Sequence, residues 1–320
     1  MMSLIRHSII MITYNQENLL SLALDSIFTQ SSLPYEVIIG DDCSTDSTWD
    51  VVEEYYKKYP KIIKPIKNSK NLGVFGNFNN LMRLPTGDIV SCLSGDDLYK
   101  PGLIETFNEK IIKNNLDPQS EKFILISNSV DLYPSKKEIL YDNYRFREKD
   151  LFKLKIRYAL NFRDTGFSLA LFKEIDFIRE DLGYHADWIY TIDQLVKSDK
   201  FIFIDKALTV YRIGQGVVSE LKAEEFLRSR MKTINQIKQQ FKHKLDKSDI
   251  KYLNKELAIH SYSLEKSFKN LVIVSWLFFI NLNNYILFSQ FKKDLKFLSF
   301  SYVGYLLKTM KLRKNSVKEI

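Results

Sequence analysis

Residues 87–102 read GDIVSCLSGDDLYKPG. An apolar run, Ile89–Leu93, ends at Ser94. Two adjacent carboxylates come next, Asp96 and Asp97, and Pro101 with Gly102 then turns the chain. A short apolar run bounded by turn residues reads as a buried strand. The pattern recurs upstream: HSIIMITYNQE (7–17) and EVIIGDDCSTD (36–46) are each an apolar run that stops at polar or acidic residues. The segment after each run has helical spacing, with Leu19, Leu20, Leu22, Ala23 and Ile27 after the first and TWDVVEEYYKK (48–58) after the second. Alternating strand and helix predicts an α/β fold, a mostly parallel sheet flanked by helices. Binding groups in such sheets collect at the carboxyl ends of the strands. Three polar clusters at three strand ends therefore predict one site.

Local signals set the element ends. Asn15 is placed to cap the first helix, with Asn18 three residues on as a weaker partner. Asp46 or Ser47 caps the second, which Pro60 ends. KIIKPIKN (61–68) reads as a third strand and NLGVFGNFNNLMRLP (71–85) as a helix with a glycine-loosened start. PGLIETFNEKIIKN (101–114) is the helix after the fourth strand, and EKFILISNSVDLY (121–133) is a further strand. The charged, aromatic stretch 140–165 predicts helix and loops over the site. FSLALFKEIDF (167–177) continues apolar, and a helix runs through Trp188 to Leu195. KFIFIDKALTVYRIG (200–214) is a strand pair or one long bent strand.

With 320 residues, 45% of them hydrophobic, the chain is long enough for one domain of roughly 200 residues with an appendage. Its formal charge of +8 suits nucleic acid, an anionic membrane surface or an acidic small substrate. Two cysteines, Cys43 and Cys92, argue against a disulfide scaffold and read as reduced thiols. Four scattered histidines argue against a His-built metal site. The first residues lack a small-residue cleavage site and read as the approach to a strand rather than a signal peptide. Beyond Gly216 the texture turns amphipathic and charged. Leu271–Ile280 is strongly apolar, but Asn281, Asn283 and Asn284 interrupt it short of the roughly 18 residues of a spanning helix. Lysines flank it. This predicts a helix lying on an anionic bilayer, or one packed on its own domain or on a second subunit in a homodimer.

The ordered set of motifs resembles the family 2 glycosyltransferases, which have the GT-A fold. It comprises SIIMITYNQENLLSLALDSIFTQ, VIIGDDCSTDST, NSKNLGVFGNFNN, CLSGDDLYKPG, YHADWIYTI and ALTVYRIGQGVVS. The resemblance covers residues 5–219. It implies a GT-A domain over 1–219 and leaves 220–320 as a helical, basic and apolar extension. It also implies a metal-dependent, inverting transferase of the bacterial surface-polysaccharide type, as in O-antigen or capsule assembly. One sugar would move from a nucleotide-diphosphate sugar, with UDP the commonest carrier, to a hydroxyl of a surface glycan or a polyprenyl-diphosphate-linked acceptor. The enzyme would sit in the cytoplasm, peripheral to the inner face of the cell membrane. The Gln-x-x-Arg-Trp motif of polymer-making relatives is absent, which implies transfer of a single residue.

The chemistry explains the residue types. A diphosphate leaves, and a divalent cation held by carboxylates stabilises its charge. A further carboxylate takes the acceptor's proton. By resemblance, Thr13, Tyr14, Asn15 and Glu17 cradle the nucleotide, and Asp42 with Asp41 contacts base or ribose. Lys67, Asn71 and Gly73 lie beneath it, Gly73 in a left-handed turn. Asp96 coordinates Mn2+ or Mg2+, with Asp97 beside it at the donor. Asp187 is the general base, with Asp181 as runner-up, and His185 adjoins it. Thr165 and Gly166 line the sugar and acceptor pocket. Arg212 either meets the diphosphate or is an ion-paired surface group. Two positions depart from the pattern: Ser94 stands where an Asp is common, and Ala186 where a Glu is usual. Both departures also suit a catalytically silent scaffold in a glycan-assembly complex. A nucleic-acid-binding protein is the remote alternative. The basic residues spread over amphipathic helices with no recognised module, so no nucleic-acid partner is expected.

Overall fold

Among the described residues, six strands run in one direction and end at one edge. The structure is a computed structural model and describes residues 5–143, 151–157, 162–215 and 223–265. In chain order the first half holds β1 (His7–Thr13), α1 (Glu17–Phe28), β2 (Glu36–Asp41), α2 (Thr48–Lys58), β3 (Ile63–Lys67), α3 (Gly73–Leu81) and β4 (Ile89–Ser94). Then come β5 (Leu98–Tyr99), α4 (Leu103–Lys113), β6 (Phe123–Leu132), β7 (Glu138–Tyr141) and α5 (Leu151–Arg157). The last part holds β8 (Thr165–Ser168), α6 (Leu169–Glu174), α7 (Ala186–Lys197), β9 (Lys200–Arg212), α8 (Ala223–Gln240) and α9 (Lys247–Glu265).

The strands form one sheet in the order β3-β2-β1-β4-β8-β6-β9-β5, with β7 added on β6. β3, β2, β1 and β4 are mutually parallel. β8 is antiparallel to both β4 and β6, so β6, and β9 parallel to it, again share the direction of β4. The carboxyl ends of β1, β2, β3, β4, β6 and β9 therefore meet at one edge, and the amino end of β8 joins them. β9 is one long strand with an irregularity opposite Ser127–Ser129 of β6.

β1 and β2 are buried on both faces, which is why they read as unbroken apolar runs. α1 buries Leu20, Ala23, Leu24 and Ile27, the stripe its spacing predicts. These residues join Ile9, Met11, Val37, Ile39, Phe107, Ile111, Phe123 and Leu125 in the main core. Each fully buried aliphatic or aromatic side chain of this kind contributes roughly 1.5–3 kcal/mol. On the other side Phe78 of α3 meets Tyr190 of α7 edge to face.

Asn15 does not cap α1. It takes φ 51, and the cap position falls to Gln16, whose side chain makes no cap bond. The short antiparallel strands β5, β7 and β8 were not apparent in the sequence. The charged stretch 140–165 lies partly outside the described residues; its described parts give α5 and a 3-10 turn at Phe162–Asp164.

Contacts divide the chain into two compact units, Met1–Gln240 and Phe241–Ile320. α8 lies in the first, although it comes after the sequence boundary at 219. Its Ser229 Oγ accepts the His185 backbone N–H at 3.0 Å and donates to the Leu182 carbonyl at 2.8 Å. In the second unit Asp246 and Asp249 exchange backbone-to-carboxylate bonds of 2.9 and 3.1 Å at the start of α9, a reciprocal cap. Among the described residues no helix is long and apolar enough to cross a membrane. Leu271–Ile280 and its lysine flanks lie outside them.

Candidate active site

The ends of β1 and β2 are knitted by polar side chains. Thr13, buried, donates to Gln16 Oε1 at 2.8 Å. Tyr14 is half-buried beside it. Asn15 Oδ1 accepts the Thr45 N–H at 2.9 Å. Glu17 accepts the Ser47 N–H at 2.9 Å and donates its own N–H to Asp46 at 3.1 Å, which ties the starts of α1 and α2 together. Asp41 is fully buried and accepts from the N–H and hydroxyl of Ser44.

Asp42 is buried too, and its Oδ1 accepts from Asn68 Nδ2 at 2.9 Å and from the Leu72 N–H at 2.8 Å. Asn68 in turn bonds Asn77 and Asn80, and Asn77 donates to the Gly40 carbonyl. This amide ladder fixes the turn after β3. In that turn Asn71 Oδ1 accepts the Gly73 N–H at 2.9 Å, and Gly73 takes φ 78, the left-handed value expected of it. Lys67 is exposed, its ammonium 5.1 Å from the Trp49 ring centroid.

The acid pair comes directly after β4. A Cβ at Gly95 would collide with Gln16 Oε1 and with Thr13 Oγ1, so glycine lets the turn press against β1. Burial raises the Asp96 carboxyl above its ordinary range, opposed by the nearby Arg212 charge and a Gln16 hydrogen bond. Burial pushes Asp97 up to about 7, with Arg163 pulling it back and Asp96 adding to the rise. Arg212 is 5% exposed. It is a buried strut, not a surface group: its guanidinium donates to the carbonyls of Asp96, Gly95 and Leu19. Its Nη1 is buried without a partner.

Two hard carboxylates whose charged form is penalised by burial fit a divalent cation, which would restore that form. No group of three His, Cys, Asp or Glu that could hold a metal occurs among the described residues, so the rest of a coordination sphere would come from substrate and water.

The sequence missed Arg163 and Asp164. The 3-10 turn carrying them directly precedes the amino end of β8, which the reversed strand delivers to this edge. Asp164 is fully buried, accepting from Thr209 at 2.6 Å, Ser129 at 3.1 Å and Asn143 at 3.2 Å. Arg163 Nε lies 3.3 Å from Asp164 Oδ1, and the guanidinium carbon sits 4.4 Å from the Tyr211 ring centroid. Thr165 and Gly166 are buried in the sheet, opposite Ile126 and Leu125. A Cβ at Gly166 would stand 2.5 Å from Phe107 Cε2, so packing by itself requires this glycine.

Asp187 is exposed in the first turn of α7. His185, two residues earlier, is buried, its Nδ1 3.1 Å from Ser229 Oγ and its ring against Phe226. Ala186, where a Glu is usual, is fully buried. Arg179 grips Asp181 through bonds of 3.0 and 2.8 Å and holds its carboxyl below the usual range.

A parallel half-sheet with polar strand ends, an acid pair on its central strand and an antiparallel bridge to a second half make up the GT-A architecture. The chain belongs to glycosyl transferase family 2, whose model matches residues 8–176, more than half of the chain. It is 28% identical over 227 residues to the UDP-Glc:alpha-D-GlcNAc-diphosphoundecaprenol beta-1,3-glucosyltransferase WfaP of Escherichia coli, covering 69% of this chain and 82% of that one. Over 93 residues it is 40% identical to the uncharacterized protein Mb1547 of Mycobacterium bovis, covering 29% of this chain and 27% of that one. The match thus spans about a quarter of that relative's length. The crystal structure of S. aureus TarS 1-349 in complex with UDP-GlcNAc has the same fold, with a TM-score of 0.60 at 19% identity, over 83% of this chain and 75% of that one.

Proposed function

We propose that this chain is an inverting glycosyltransferase that moves one sugar from a nucleotide-diphosphate sugar to a hydroxyl of a lipid-linked or surface-glycan acceptor. The observation that carries the reading is the acid pair Asp96–Asp97 at the end of β4, braced by Arg212 in a family 2 chain. Asp42, locked to Asn68, forms the floor under the nucleoside, and Thr13, Asp41 and Lys67 lie at the adjoining strand ends. Asp96, next to Asp97, would hold Mn2+ or Mg2+, whose charge would offset that of the leaving diphosphate. Asp187 takes the acceptor's proton. A single base and direct attack invert the anomeric centre. WfaP, named for a UDP-Glc donor and a diphosphoundecaprenol acceptor, supports a uridine nucleotide and a lipid-linked acceptor. The basic, apolar sequence of 220–320 supports attachment to the inner face of the cell membrane.

A thermal-shift screen of UDP-, GDP- and dTDP-sugars with and without Mn2+ tests this reading, since a ligand of the folded state raises the midpoint. The expected result is a rise with one donor class that grows with Mn2+, followed by transfer to a lipid-linked acceptor. No rise with any nucleotide sugar would sink it. Binding without turnover or hydrolysis would favour the silent scaffold that Ser94 and Ala186 suggest.

A further inference from the structure

Arg163 is surplus to its own ion pair. Its partner Asp164 already accepts three hydrogen bonds, from Thr209, Ser129 and Asn143. These satisfy a buried carboxylate without help from a guanidinium. Arg163 meanwhile has 11% of its side chain exposed, and its Nε, buried 3.3 Å from Asp164 Oδ1, makes no well-formed hydrogen bond. The guanidinium lies over Tyr211, which leaves its edge to face elsewhere. Tyr211 pairs in the ladder with Asp131 of β6, which places Asp131 directly across that strand pair. The Asp131 side chain has no hydrogen bond among the described residues, and it feels the charge of Arg163. Asp131 lies near the end of β6, and the charge of Arg163 reaches both carboxyls of the acid pair.

A guanidinium edge and a carboxylate together supply parallel donors and acceptors. That is the complement of two neighbouring hydroxyls, each of which donates and accepts. The diphosphate, by contrast, offers acceptors only and is served by the cation site at Asp96. We propose that Arg163 and Asp131 form the subsite that reads vicinal hydroxyls of the donor's sugar ring and so sets which sugar is transferred. The proposal rests on the glycosyltransferase reading above. Tyr211 and Asp164 act as positioning residues that hold the guanidinium edge towards the ring. A site built to bond hydroxyls rejects the epimer that leaves its polar groups unpaired.

The test uses the full chain and compares affinities for a nucleoside diphosphate and for its sugar conjugates by calorimetry. Arg163→Gln and Asp131→Asn should each weaken binding of the preferred nucleotide sugar by about ten- to a hundredfold, the worth of a charged hydrogen bond. Affinity for the nucleoside diphosphate alone should stay within about twofold. Discrimination between the preferred sugar and its epimer should fall by a similar factor. Equal losses for nucleotide and nucleotide sugar would put Arg163 on the diphosphate and overturn the proposal. Unchanged affinity for both would make the pair purely structural, with the same consequence. Arg163→Lys, which keeps the charge and loses the fork, serves if Arg163→Gln fails to fold; it should lose epimer discrimination while retaining nucleotide binding. A wild-type chain that binds no nucleotide at all would overturn the glycosyltransferase reading itself, a result distinct from each of these.

Discussion

The backbone N–H of Arg212 donates to Asp97 Oδ1 at 3.2 Å, across 115 positions of chain. The same residue's guanidinium holds the carbonyls of Gly95 and Asp96. The end of β9 therefore fixes the shape of the acid-bearing turn after β4. Arg212→Ala would leave three carbonyls without that support. It should lower unfolding free energy by about 2–4 kcal/mol, read from urea denaturation. It should also raise the Mn2+ concentration needed for half-maximal transfer. An unchanged urea midpoint would show that the strut is dispensable.

Asp96→Asn keeps the shape of the side chain and removes its charge. Metal-dependent transfer should be lost while the fold persists, because an amide is a poor ligand for a hard cation. Turnover assayed across a Mn2+ titration checks this; wild-type turnover at saturating Mn2+ would remove Asp96 from the metal site.

Asp187→Asn should slow transfer by roughly 10²–10⁴, the usual cost of losing a general base. Nucleotide affinity should not change, since Asp187 lies on α7 and not on the strand ends that carry the acid pair and Asp42. Weakened nucleotide binding in calorimetry would place Asp187 at the donor instead.

Gly166→Ala drives a methyl group towards Phe107, with 2.5 Å to Cε2. Overpacking of this kind should cost about 1–3 kcal/mol. Gly73→Ala meets nothing within 4 Å and should cost only the left-handed backbone penalty, about 1–2 kcal/mol. Thermal midpoints of the two variants measure the difference. Equal losses would mean that Phe107 moves aside freely.

His7 is buried and bonded to Asn108 Oδ1 at 2.8 Å, and burial lowers its pKa to about 4. In the unfolded chain it titrates near 6.5. Between these values the unfolded state binds the extra proton, so stability is fully present above pH 6.5 and falls as pH drops towards 4. The loss reaches on the order of 3 kcal/mol. His7→Gln should remove that part of the slope in urea titrations run from pH 7 to pH 4. A variant with the wild-type slope would show that His7 does not carry it.

Much of the sheet was legible because its signals are local. The apolar runs of β1, β2 and β4, the stripe on α1 and the left-handed glycine at 73 depend on neighbours within a few residues. The acid pair was legible for the same reason: it closes a strand in a βαβ pattern, and such strand ends share an edge. Asn15 misled because its side chain had a tertiary partner. Thr45, brought close by the β1–β2 pairing, took the hydrogen bond that a helix cap would have made.

The sequence by itself determined the family, the direction of the parallel strands and the presence of polar groups at their ends. The tertiary structure decided what those groups bond. β8 has four residues, too few for a period, and nothing local states that it runs backwards between β4 and β6. That reversal brings Arg163 and Asp164 to the site. The Arg212 strut likewise joins residues 115 or more positions apart. A strand's direction and its neighbours are settled by burying both faces of the whole sheet at once. No short stretch of sequence carries that sum.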